Sequence, residues 1–294
     1  MKLKRLFTGI NRNTANLILT VLASQAIEGV PEKKASGRYD ILIQKTDQDR
    51  AQYHLDQYAR ENPQQPWPRS EGFPVYPPLS AALFLSPAAL AAALVIALIH
   101  YYLETSGTWS QTLFAYGISP YFLGQGETFR AITALFLHSD AGHVMGNMAG
   151  LILLAGPLTR VTGPGTGLFF LLAAATSGNL LANSFSMDTR LSIGASTAVM
   201  AAAGLLAARQ ALNKRFRFWQ PLAAGLILTA LFSHGPRTDI SAHLFGFLAG
   251  VGTGGIFFPL FCVWHRPWME PFALGLTLLI SGAALYAGLP RLSP

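Results

Sequence analysis

From residue 81 to its end the chain is dominated by apolar runs close to the roughly 20 residues a helix needs to cross a bilayer. They fall at about 81–103, 143–160, 166–185, 194–211, 218–234, 241–263 and 268–289. In lipid every backbone polar group must be satisfied within the chain, so runs of this kind fold as helices. The pattern predicts an all-α polytopic membrane protein. Charge agrees with it: residues 1–79 hold 11 of the 21 Lys and Arg and 8 of the 14 Asp and Glu, which leaves 16 charges for the other 215 residues. The water-facing part is therefore N-terminal. A formal net charge of +7 raises the question of nucleic acid, but the basic residues sit in scattered groups beside apolar runs, which suits anionic lipid headgroups better. The single cysteine, Cys262 in "FFPLFCVW", excludes an intrachain disulfide and a multi-cysteine metal site, and reads as a small buried hydrophobe.

Residues 1–61 read as a small α+β cytosolic domain. The pattern gives a strand at "KLKRLFT", a helix over "NTANLILTVLASQAI", a strand pair around "GVPEKKASGRYDILI", and a second helix. That helix is expected to start at Thr46 with Asp49 completing a capping-box-like pair, and Ala51, Leu55 and Tyr58 then share one face. Lys33, Lys34, Asp47 and Asp49 read as a solvated face. The basic start and the run "NLILTVLASQA" also resemble a secretory signal. Topology argues against that reading: export of the next segment would place the basic loop with Arg209, Lys214, Arg215 and Arg217 outside, against the positive-inside tendency. Residues 62–80 hold six prolines and no helical period, the composition of an extended linker. With the N-terminus inside, seven spans leave the C-terminus outside. The segment 104–142, rich in aromatics such as Trp109, Phe114 and Tyr121, becomes an outer loop partly sunk in the interface.

Polar and ionisable residues inside spans are costly, so they are the first functional candidates. Three clusters qualify. His143 and Asn147 lie four apart on one helix face; Ser196 opens the fourth span in "GASTAVM"; His243 opens the sixth in "SAHLFGFLAG". The topology puts all three toward the outer leaflet, where they can share a cavity. Small residues on the fourth and sixth spans allow close backbone approach, which brings the Ser196 hydroxyl toward His243. A serine needs such a base to act as a nucleophile, and His143 and Asn147 are suited to donate hydrogen bonds to an oxyanion. Taken singly, a serine in an Ala/Gly-rich helix more often bonds its own backbone, and an intramembrane His or Asn often joins helices. No carboxylate or cysteine is spaced to complete a metal site with the histidines.

Several motifs together give the chain a family resemblance. These are "ETFRAITALFLH", the series His138, His143, Asn147, "GNLLANSF", "GAS" at Ser196 and "AHLFGFLAG" at His243. In their order and spacing, over about residues 80–265, the chain resembles the rhomboid family of intramembrane serine proteases, in its bacterial type. The resemblance implies a six-helix rhomboid-like bundle over 81–265, preceded by the cytosolic domain and followed at 266–294 by an added seventh transmembrane helix and tail. It implies Ser196 as nucleophile and His243 as general base with no acidic third member. His143, Asn147 and the Ser196 backbone N–H would form the oxyanion hole. Arg130 with Glu127 would shape the first loop, His138 would anchor it, and Gly194 and Gly246 would give structural support. No cofactor and no metal is implied. The expected partners are transmembrane protein substrates and membrane lipids, with no nucleic acid, and a homo-oligomer is an open option. The expected location is the bacterial inner membrane, N-terminus in the cytoplasm and C-terminus outside. Two departures stand out: Thr197 replaces the glycine that usually comes after the serine, and Met200 replaces an aromatic that packs on the imidazole.

Two other readings differ in class. A catalytically inactive rhomboid-like protein would bind transmembrane clients without cutting them. A transporter would use the same polar residues as a pathway, but the halves show no repeat, and no acidic or basic residue lies well inside a span.

Overall fold

The computed structural model describes residues 3–35, 37–62, 86–186, 190–212, 217–233, 239–264 and 268–292. The chain divides into two compact units, Met1–Pro78 and Leu79–Pro294. Most of the proline-rich linker, from residue 63 on, lies outside the described residues, as do Lys214, Arg215 and the Cys262 side chain.

The first unit runs β1 (Leu3–Ile10), α1 (Arg12–Ser24), β2 (Gly29–Lys33), β3 (Tyr39–Gln44) and α2 (Gln48–Glu61). Its antiparallel sheet has the order β1-β3-β2. Ile41 and Ile43, two apart on the central strand, point to one face and are fully buried with Ile18 and Leu22 of α1 and Leu55 of α2. The stretch that resembled a signal is thus a core helix, capped by Asn11, whose side chain accepts from the Thr14 N–H at 2.9 Å. The second helix corrects the expected start. A 3₁₀ turn at Lys45–Asp47 precedes it, α2 begins at Gln48, and no side chain caps it. Such tight turns are frequent helix entries, and here one moves the N-cap position from Thr46 to Asp47. Ala51 and Leu55 are buried on the expected face, with Tyr58 packed beside them. Lys34 is not merely solvated. It pairs with the buried Asp40 at 2.9 Å, as does Arg5 at 2.9 Å, and the Lys34 ammonium holds that carboxyl below the usual carboxylate range.

The second unit is a polytopic helical bundle. Five stretches among the described residues are long and apolar enough to cross a membrane: Pro87–Ser106 (α3), Ala141–Thr162, Pro164–Phe185 (α9), Ile240–Leu260 and Met269–Arg291. The second of these joins α7 (Ala141–Gly150) and α8 (Gly156–Thr162) through a π turn at Leu151–Ala155. Pro157 stands directly after that change of register and has no N–H to continue the α ladder. The fourth span lies within α12 (Ile240–Trp264) and the fifth includes α13 (Met269–Gly288). Between α3 and α7 the loop folds as α4 (Trp109–Tyr116), α5 (Pro120–Gly124) and α6 (Arg130–Thr133).

Two shorter helices complete the set, α10 (Ser196–Ala211) and α11 (Trp219–Phe232). Every residue of α10 from Thr197 to Arg209 is buried. A 16-residue helix is only about 24 Å long, shorter than the roughly 30 Å hydrocarbon core. The neighbours shield its apolar sides along that length. Glycines let α12 press directly on it. A β-carbon at Gly204 would lie 2.1 Å from the Phe247 carbonyl oxygen, and one at Gly250 would lie 2.2 Å from that of Ala201.

The last span is tied in at both ends. Glu270 accepts from the Gly165 N–H at 3.0 Å and the Thr166 N–H at 3.3 Å, and bonds the Thr166 hydroxyl, so a carboxylate from α13 satisfies the N-terminus of α9. At the other end the Tyr116 hydroxyl donates to the Leu285 carbonyl at 3.0 Å, and Arg291 pairs with Glu127 at 2.8 Å.

Candidate active site

Ser196 is the first residue of α10, so its backbone N–H belongs to the first turn, where helical donors lack an internal acceptor. The turn before it is held from several sides. Ile118 and Ser192 exchange backbone hydrogen bonds at 2.7 and 3.2 Å, and the Gly194 N–H donates to the Ala134 carbonyl at 2.9 Å. The Ala195 N–H donates to His138 Nε2 at 3.3 Å. His138 itself is buried, with its carbonyl accepting from the Trp109 indole at 3.0 Å. It therefore supports the approach to Ser196 and links it to α4. Burial, with the adjacent His143 next in weight, lowers the His138 pKa to about 3, so the ring is neutral and can accept.

Gly194 has φ +121°, and a β-carbon there would lie 2.6 Å from His143 Nε2 and 3.3 Å from Asn147 Nδ2. Both nitrogens thus converge on the turn two residues before Ser196. Asn147 is buried, and its Nδ2 has no hydrogen-bond partner among the described residues. His143 Nδ1 lies 3.1 Å from the Ser139 hydroxyl and 3.5 Å from the Ser139 N–H. The N–H can only donate, which places the ring proton on Nε2. The hydroxyl also bonds Asp140 at 2.8 Å, which favours the opposite tautomer. The imidazole is therefore free to present a donor where an acceptor arrives. The backbone hydrogen bond from His143, foremost, keeps the Asp140 carboxyl below its usual range.

His243 lies one turn into α12, behind an Asp239 cap. The Asp239 carboxylate accepts from the Ser241 hydroxyl at 2.6 Å, the Ala242 N–H at 2.9 Å and the Ser192 hydroxyl at 2.8 Å. Burial pushes that carboxyl up, but these bonds outweigh it and hold it below its usual range. The same aspartate thus fixes the start of α12 and the loop before Ser196. His243 Nδ1 lies 2.9 Å from the Ser233 hydroxyl, at the end of α11.

One cavity of about 870 Å³ is lined by His143, Asn147, Ser196, Met200 and His243, together with Asp239 and Trp109. All four reacting-group candidates therefore reach the same space. No hydrogen bond joins Ser196 to His243 among the described residues; the two line the same cavity. Thr197 is accommodated rather than excluded: a β-carbon at Gly178 would lie 3.0 Å, and one at Gly246 3.1 Å, from its methyl group. The two glycines provide the room that the branch occupies. Met200 is fully buried.

Arg130 and Glu127 organise the loop away from this cavity. Arg130 is fully buried, pairs with Glu127 at 2.6 Å and donates to the Phe114 and Gly117 carbonyls at 2.7 and 2.8 Å. Its guanidinium carbon lies 3.7 Å from the centre of the Phe122 ring. In "GNLLANSF", Asn179 donates to the Ala131 carbonyl at 2.8 Å, which ties α9 to α6. Sequence reasoning missed Asp239, Ser192, Ser233 and the Arg291–Glu127 pair. Asp239 was detectable as a capping residue directly before an apolar run; the other three depend on contacts distant in sequence.

Similarity to known proteins covers the same region. Residues 125–260 match the Rhomboid domain family model. Rhomboid-like protease 1 of Toxoplasma gondii is 29% identical over 184 residues, 57% of this chain and 62% of that protein. Rhomboid protease GluP of Bacillus subtilis (strain 168) is 30% identical over 161 residues, 52% of this chain and 31% of that protein. The chain thus covers under two thirds of each relative.

Proposed function

Because the chain belongs to the rhomboid family through the domain at residues 125–260, we propose that it is an intramembrane serine endopeptidase that cleaves transmembrane segments of other membrane proteins. The observation that carries the reading is the convergence of Ser196, His243, His143 and Asn147, from three separate helices, on one cavity. In this mechanism His243 takes the proton as Ser196 Oγ attacks the scissile carbonyl carbon. Negative charge then develops on the carbonyl oxygen. His143, the Asn147 amide nitrogen, which has no partner among the described residues, and the Ser196 N–H donate to it, and each such donor typically contributes about 2.7–4 kcal/mol when measured by removal. The tetrahedral intermediate collapses, His243 returns the proton to the leaving amine, and water then hydrolyses the acyl-serine by the same steps. A nucleophile at the end of a short, shielded helix lies below the membrane surface yet remains within reach of water through the cavity.

The same reading places the protein in a bacterial inner membrane with its N-terminal unit in the cytoplasm and its C-terminus outside, and gives it transmembrane proteins and lipids as partners. A client-binding member without activity is the second reading. It draws on Thr197 after the serine and on the absence of a Ser196–His243 hydrogen bond among the described residues. Incubation of purified protein in lipid vesicles with a model transmembrane substrate separates the two. Cleavage by wild type and none by a folded Ser196→Ala variant supports the protease. Equal cleavage by both, or binding without cleavage by wild type, contradicts it.

A further inference from the structure

His243 has two ring nitrogens, and a general base needs the one facing the nucleophile to be unprotonated. Something must therefore hold the proton on the other. The Asp239 carboxylate accepts from Ser192, Ser241 and Ala242 and, among the described residues, makes no hydrogen bond to the ring. The partner of Nδ1 is the Ser233 hydroxyl at 2.9 Å. That hydroxyl has one proton to give, and it lies 2.7 Å from the Thr229 carbonyl oxygen, which can only accept. The Ser233 N–H is directed elsewhere, to the Ala230 carbonyl at 3.2 Å. With its proton committed to Thr229, Ser233 Oγ faces the ring as an acceptor. Nδ1 must then carry the hydrogen, and Nε2 is left with its lone pair toward the cavity that Ser196 lines.

We propose that Ser233 is a positioning residue that fixes His243 in the Nδ1–H tautomer and connects it, through Thr229, to the C-terminal end of α11. The proposal rests on the protease reading. Carbonyls at a helix C-terminus carry partial negative charge, so the chain from Thr229 through Ser233 to His243 supplies, without a carboxylate, some of the stabilisation an imidazolium needs while it holds the serine's proton. It also makes the base dependent on where α11 sits. The contact at His143 differs, since there the Ser139 N–H and hydroxyl ask opposite things of Nδ1.

The test compares wild type, Ser233→Ala and Ser233→Thr in vesicles, with kcat and KM measured across pH on the model substrate. Among the described residues, Asp239 and His143 are the titratable groups whose charge reaches the His243 ring. Asp140 and Arg190 line the same cavity, and α10 and α11 bring Ser196, Met200 and Ser233. All are unchanged between the variants except Ser233. Ser233→Ala is expected to lower kcat by about 10²-fold, the low end of what a positioned base contributes, with KM within about twofold. It should also move the acid limb of kcat to lower pH, because the imidazolium loses its acceptor, and Ser233→Thr should restore both. Wild-type kcat and an unmoved acid limb in folded Ser233→Ala would overturn the proposal. Nitrogen NMR of ¹⁵N-labelled histidine in wild type reads the tautomer directly and decides the matter if the alanine variant does not fold: a proton on Nδ1 supports the proposal, and one on Nε2 contradicts it. Failure of Ser196→Ala to abolish cleavage would instead remove the protease reading itself.

Discussion

Gly194 faces His143 so closely that a β-carbon on residue 194 would lie 2.6 Å from Nε2. The backbone there, at φ +121°, is also one that side chains rarely adopt. Gly194→Ala therefore meets two obstacles and displaces either the turn or the imidazole. Its expected effect is a fall in kcat/KM of about 10²-fold or more, since a misplacement near 1 Å has that cost. Steady-state cleavage checks this, and a variant within twofold of wild type would show that the turn does not position the site.

Asn147 brings a buried amide nitrogen with no hydrogen-bond partner among the described residues. A donor of this kind acts on charge that exists only during reaction. Asn147→Ala is expected to lower kcat about 10²–10³-fold while KM changes little. A rise in KM at unchanged kcat would assign the amide to substrate binding instead.

The Arg130 guanidinium is fully buried and holds Glu127 and two loop carbonyls, whereas Arg291 reaches Glu127 from a side chain that is 41% exposed. Removing one member of a buried ion pair costs about 3–5 kcal/mol, while an exposed pair contributes roughly 0–1 kcal/mol. Arg130→Ala should lower the thermal midpoint in detergent far more than Arg291→Ala. Equal shifts would mean that the last helix, not the buried arginine, sustains the loop.

Gly246 and Gly178 flank the methyl group of Thr197. Gly246→Ala should destabilise the bundle by about 1–3 kcal/mol through overpacking. Replacing Thr197 by glycine in the same background should recover part of that loss, with a coupling of about 0.5–3 kcal/mol between the sites. Strict additivity in unfolding midpoints would show that the residues do not share this space.

His138 gives the folded protein a pH dependence of definite sign. Burial lowers its pKa from 6.5 to about 3, so between those values the unfolded chain takes up a proton that the folded one refuses. Stability is full above about pH 6.5 and falls as pH drops toward about 3. Glu127 and Asp239, which burial pushes up but their hydrogen-bond partners hold below their usual ranges, add losses at the acid end. Thermal midpoints measured from neutral to acid pH should decline, with a shallower slope in His138→Gln. An unchanged slope would place His138 outside the titrating set.

Much of this arrangement was legible in the sequence because membrane folding leaves few options. Long apolar runs had to be helices, and the spacing of His143, Asn147, Ser196 and His243 along them marked residues with no reason to face lipid. Relations set by packing between distant segments escaped. Nothing local to Ser233 shows that it meets His243, and nothing in the last span predicts that Glu270 caps α9 or that Arg291 reaches Glu127. The Thr46 cap failed for a local reason, a 3₁₀ entry that shifts the helix start. Thr197 stands where the resemblance leads one to expect glycine, and in three dimensions its methyl lies between two glycines.

The whole mechanism depends on Ser196 being a nucleophile activated by His243 inside the membrane domain. A fluorophosphonate probe reacts with an activated serine without any need for a substrate, so labelling of the purified protein reads that property alone. Wild type should label, and Ser196→Ala and His243→Ala should not; an unlabelled but folded wild type, or labelling that survives Ser196→Ala, would overturn the assignment.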